Sequence, residues 1–159
     1  MDRNYFLLVL CCLFISNCGL PYSDGLVLYR ASEKSLIIKS VEGDWIVDKE
    51  ALKKADLESN GGSIIVLHAN NKFNASNLPF EDFEGKISIM DKAYGSWDIV
   101  FDDGWRLELV IKVDGFNVGR RFDLWSYSNM SLDAISYSFQ SFDNGRRIYW
   151  KRSEVDFDL

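Results

Sequence analysis

Histidine, proline and cysteine are scarce in this chain, with one, two and three residues among 159. The single His68 excludes a histidine-based metal cluster and any mechanism that needs two imidazoles. Cys11, Cys12 and Cys18 all precede Gly19, so the residues that follow can form no disulfide among themselves and hold no thiol nucleophile. Neither a nucleophile-elbow serine nor a glycine-rich phosphate cradle occurs. The apolar run from Tyr5 to Ile15 is well short of the roughly 20 residues that cross a bilayer as a helix. Basic charge is in deficit: 18 Lys and Arg stand against 24 Asp and Glu, a net charge of −6. The cations are scattered rather than gathered into a stripe, which argues against nucleic acid as a partner. No cofactor or metal is expected.

What is present begins with an export pattern. Residues 1–17 read as a signal peptide, with Arg3 near the start, then the apolar run, then Ser16-Asn17. The tetrapeptide Ile15-Ser16-Asn17-Cys18 resembles the lipobox of bacterial lipoproteins. There a large aliphatic residue and two small residues precede a cysteine that is acylated and becomes the new N-terminus. Asn17 stands where that pattern has Gly or Ala. The resemblance implies lipidation of Cys18, attachment to the membrane through an N-terminal lipid anchor such as palmitate, and a place in the bacterial cell envelope. The alternative is an ordinary signal peptide with Cys18 incidental.

Residues 18–34 read as a tether containing Pro21, Ser23, Asp24 and Gly25, with a short strand at Leu26–Tyr29. A single domain is expected over 35–159. Its central hairpin is legible from alternation: Trp97, Ile99 and Phe101 precede Asp102-Asp103-Gly104, and Trp105, Leu107 and Leu109 follow it. A three-residue loop pairs Phe101 with Trp105, Ile99 with Leu107 and Trp97 with Leu109, keeping apolar residues on one face and Gly104 in the left-handed position. The same logic around Ala69-Asn70-Asn71 pairs Leu67 with Phe73 and Ile65 with Ala75, with Asn71 left-handed. Ser35–Val41 reads as a strand. A short helix is expected near residues 48–58, capped by Asp48 and covering a barrel mouth. Leu78–Gly85 reads as a loop acting as lid or plug, Asp114-Gly115 as a turn and Val118–Tyr127 as a strand. A final hairpin around Asn144-Gly145 pairs Phe139 with Trp150.

About eight consecutive strands with short connections predict an all-β fold, an antiparallel meander closing into a barrel. Gly43-Asp44-Trp45, the strand from Ile64 to Leu67, the segment from Lys72 to Pro79, Gly95-Ser96-Trp97 and the run from Asp143 to Tyr149 resemble small bacterial lipoproteins with a lipocalin-like β-barrel. The resemblance implies the fold and the envelope location. It also implies that Arg146, Arg147 or Arg152 lies over Trp45, as an arginine does over the barrel-floor tryptophan of lipocalins.

The inward residues Trp45, Phe73, Trp97, Trp105 and Leu107 either pack the barrel or line a cavity for a small apolar ligand. Asp98, Asp102, Asp103 and Glu108 cluster near the central hairpin and are the material for general acid–base chemistry, although alternation and turn chemistry already account for them as solvated acids. His68 is expected to face outward beside a turn. Three functions follow: a non-catalytic envelope protein binding a small apolar ligand or a protein partner, a carboxylate-dependent hydrolase, or a protein inhibitor or immunity factor.

Overall fold

A computed structural model describes residues 27–29, 33–126, 131–139 and 147–153. The signal segment 1–17, Cys18, most of the tether and the Asn144-Gly145 turn lie outside these residues. Eight strands form the barrel: β2 (Gly43–Val47), β3 (Ser63–Leu67), β4 (Lys72–Glu81), β5 (Ile87–Phe101), β6 (Trp105–Val113), β7 (Phe116–Ser126), β8 (Ala134–Ser138) and β9 (Arg147–Arg152). Each pairs antiparallel with the next, and β9 returns to pair with β2, which closes the ring and leaves no free edge between them. The short β1 (Val27–Leu28) pairs with Ser126 and Trp125 of β7. Because β8 holds the other side of β7 there, β1 occupies the side that β6 vacates past Arg106.

Alternation decides which residues enter the core. In β6, Leu107, Leu109 and Ile111 are buried, and in β7, Val118, Phe122 and Leu124 are. The central hairpin has the expected register, with Phe101 opposite Trp105, Ile99 opposite Leu107 and Trp97 opposite Leu109. In its loop the left-handed well is taken by Asp103, at φ 55°, and Gly104 follows at φ 146°. The β3–β4 hairpin pairs Leu67 with Phe73 and Ile65 with Ala75, and Asn71 has φ 60°.

Ser35–Val41, expected as a strand, is the helix α1 (Lys34–Val41). As a strand it would place Lys39 on the inward face with Ile37 and Val41. As a helix it buries Ile37 and Val41, one turn apart, and leaves Lys39 exposed. The second helix α2 (Lys49–Lys54) is shorter than its signals suggested, and the Asp48 carboxylate caps it by accepting the Ala51 N–H at 2.6 Å. The loop expected at Leu78–Gly85 is strand as far as Glu81, because Ile87–Met90 of β5 supply its partners. A tight turn remains, in which the Asp82 carboxylate accepts the N–H groups of Glu84 and Lys86, both at 2.9 Å. In the last hairpin Trp150 faces Ile135, not Phe139. The shift is four residues, an even number, so Phe139 remains a buried residue.

The β2–β3, β4–β5, β6–β7 and β8–β9 connections share one end of the barrel, where α2 lies. The β3–β4, β5–β6 and β7–β8 connections share the other, where α1 leads into β2.

Candidate functional site

Four of the five inward residues singled out by sequence are in the core: Trp45 and Leu107 are fully buried, Phe73 is 1% exposed and Trp97 2%. They join one contiguous hydrophobic cluster, against which the partly buried Trp105 packs. Trp105 sits at the rim, edge-on to Phe101 with ring centroids 5.1 Å apart. The buried indoles find partners for their N–H groups in the frame of the barrel. Trp45 donates to the Val41 carbonyl at 2.8 Å and Trp97 to the His68 carbonyl at 3.0 Å. Trp150, which sequence reasoning did not place among the site residues, donates to Ser63 Oγ at 3.0 Å. Of the three arginines considered for Trp45, Arg152 lies over the ring, its guanidinium carbon 5.5 Å from the centroid, and it also donates to the Glu42 carbonyl.

Sequence reasoning missed a polar cluster inside the barrel. Arg120 alternates with Val118 and Phe122 and therefore faces inward. Its guanidinium donates to the backbone carbonyl of Glu81 across the barrel and lies over the Phe80 ring, 4.9 Å from the centroid. Tyr137 of β8, 8% exposed, is close enough for Arg120 and Glu81 to act on its hydroxyl. Burial raises the Tyr137 pKa above 10.0, with Arg120 opposing the shift and Glu81 adding to it. The signal for this cluster was available: Val118, Arg120, Phe122 and Leu124 form one alternating row.

The acids considered for catalysis lie on the outer wall or in a turn. Asp98 pairs with Lys34 at 2.8 Å, and Glu108 with Arg121 at 3.1 Å. Asp102 pairs with Arg121 at 2.6 Å and Arg106 at 3.6 Å, and Asp103 sits at the tip of the β5–β6 loop. Among the described residues no group of three His, Cys, Asp or Glu side chains is placed to hold a metal ion. His68 is partly exposed beside the β3–β4 turn, with Nε2 3.0 Å from the Asn74 amide nitrogen.

Depressions on the surface of the described residues include the following. One of about 860 Å³ lies beside α2, between Lys49, Lys53, Asn60, Ile89 and Asp91. One of about 200 Å³ lies between Ile46, Ala51 and Tyr149, and one of about 390 Å³ crosses the outer wall between Lys72, Tyr94 and Lys112. Phe73 lines the third, whereas Trp45, Trp97, Trp105 and Leu107 line none of these three.

No family model, no curated protein and no solved structure matches this chain. The barrel, an eight-stranded antiparallel meander consistent with a lipocalin-like fold, is therefore the firm ground, and any role rests on its side chains.

Proposed function

We propose that the chain is an exported protein of the bacterial cell envelope, held at the membrane by acyl chains on Cys18, that works by non-covalent binding and not by catalysis. What it binds is a protein partner or a small apolar ligand. The observation that supports binding over catalysis is the setting of the carboxylates: Asp98 and Asp102 are more than half exposed and ion-paired on the outer wall. A general acid needs a carboxyl withdrawn from water and aimed at a reacting atom.

A protein partner is the better-supported form. Trp45, Phe73, Trp97 and Leu107 are committed to the core, while Phe83 (85% exposed) in the β4–β5 turn and Phe116 (71%) at the start of β7 stand at the same barrel end. Exposed aromatics of this kind are common at interface hot spots.

Two measurements test the reading. Mass spectrometry of the mature N-terminus should find an acylated Cys18, since two or three acyl chains anchor a protein stably where one does not. An unmodified Cys18 removes the anchor. Alanine at Asp98, Asp102, Asp103 and Glu108 together should leave the cellular phenotype intact, and an essential acid in a folded variant would favour a hydrolase instead. The apolar-ligand form predicts a changed Trp fluorescence on titration, with about 2.7 kcal/mol of added stability at a hundredfold excess over Kd.

A further inference from the structure

The outer wall carries a second surface, formed by outward-facing residues of β4 to β7 and reaching down to Phe73. Strand register places Lys72 beside Ser96, Ser96 beside Val110, Asn74 beside Tyr94 and Lys112 beside Asn117. These residues surround the groove of about 390 Å³, which is within the size range of small-ligand sites. Tyr94 is 63% exposed in the wall, far from any turn that would explain it. Lys92, two residues along β5, shares its face.

Three cations share this surface. Lys72, Lys92 and Lys112 are exposed and have no ion pair among the described residues, in a chain whose net charge is −6. The neighbouring acids on the same wall, Asp98 and Glu108, are already held by Lys34 and Arg121. Asp114 stands at the rim, in the β6–β7 turn. The floor belongs to inner strands of a closed barrel, whose backbone groups are engaged in the β4–β5 and β5–β6 ladders. An extended peptide would find no strand edge to add to, so recognition here must run through side chains.

From this arrangement we infer that the Lys72–Tyr94–Lys112 groove binds an acidic sugar chain, one whose rings carry carboxylates. The lysines supply charge-assisted donors for the carboxylates. Asn74, Asn117 and Ser96 supply both donors and acceptors for hydroxyls, and the Tyr94 ring offers an apolar face to the ring carbons. The inference concerns a different surface from the aromatic rim and does not depend on how Cys18 is processed.

Calorimetric titration of the full chain with hexagalacturonate tests it, with maltohexaose as the neutral control and hexaglutamate as the acidic peptide control. Hexagalacturonate should bind, and raised salt should weaken it. Amide NMR shifts should move at Lys72, Tyr94 and Lys112. Lys72→Glu with Lys112→Glu should lower affinity by about tenfold or more, as should Tyr94→Ala, with thermal midpoints near that of the parent. If the charge reversals impair folding, Lys72→Gln with Lys112→Gln carries the same expectation. Absence of hexagalacturonate binding overturns the inference, as does equal binding of hexaglutamate or maltohexaose. Unchanged affinity in the folded variants overturns it too.

Discussion

A methyl group at Gly95 would lie 1.9 Å from the Val110 carbonyl oxygen and 2.9 Å from Phe73 Cε1. Backbone cannot yield cheaply there, and the Phe73 ring is itself locked in the core. Gly104 is the opposite case: a methyl would meet nothing within 4 Å, and only the positive φ of 146° opposes it. Gly95→Ala should therefore destabilise the barrel by about 3 kcal/mol or more, and Gly104→Ala by about 1 kcal/mol, as read from urea midpoints. Tyr137 gives a pH dependence. Its folded pKa is raised above 10.0, chiefly by burial, so the unfolded chain ionises first. The stability it contributes is complete below pH 10 and is lost as pH rises through the folded pKa. Tyr137→Phe should cost about 1 kcal/mol near neutrality through the loss of the hydroxyl that Arg120 acts on. The gap between parent and variant should then narrow above pH 10, and a gap that stays constant contradicts this account.

At the scale of elements, α1 shows where local pattern and tertiary setting part. Ile37 and Ile38 are strand formers, and Lys39 is the residue that betrays the helix, because alternation would have buried it. Ile37→Ala should cost about 2–5 kcal/mol, and Lys39→Ala should stay within about 0.5 kcal/mol, in paired denaturant melts. A strand packed through Ile37, Lys39 and Val41 would make the two sites more alike. The registers of the hairpins around Asn71 and Asp102–Gly104 were legible, since an odd slip there would move Phe73 or Trp105 to the wrong face. The left-handed residue of the second, however, is Asp103 and not Gly104, because Asp also tolerates that well. The β8–β9 register was not legible, because a slip of four residues keeps Ile135, Tyr137 and Phe139 all on the inner side. Nor was the strand from Leu78 to Glu81, where acids and Pro79 imitate a loop. Its pairing is supplied by Ile87–Met90, which carry little signal alone. The candidate site divides the same way: alternation located the buried Trp45, Phe73, Trp97 and Leu107, while Arg120 was passed over as a scattered cation although it obeys the same alternation. The Lys72–Tyr94–Lys112 surface depends on lateral register across three strands and has no local signature.

For the molecule as a whole, Arg120 ties opposite walls together. Its guanidinium starts from β7, meets the Glu81 carbonyl and the Phe80 ring at the end of β4, and acts on Tyr137 of β8. In the eight-membered ring β4 and β8 are four strands apart, so the cluster spans the barrel near the end where α2 lies. The tie has a cost, since Arg120 Nε is buried without a hydrogen-bond partner. Arg120 is partly buried and is held at the backbone of the buried Glu81, so removing its charge alone leaves that carboxylate with less compensation than removing both charges does. Arg120→Met alone should accordingly destabilise the protein by about 3–5 kcal/mol, and Arg120→Met with Glu81→Gln should recover at least half of that loss. A double-mutant cycle by urea denaturation reads the coupling directly. Additive costs would mean that the two charges do not share the barrel interior, and that Arg120 contributes only its packing over Phe80.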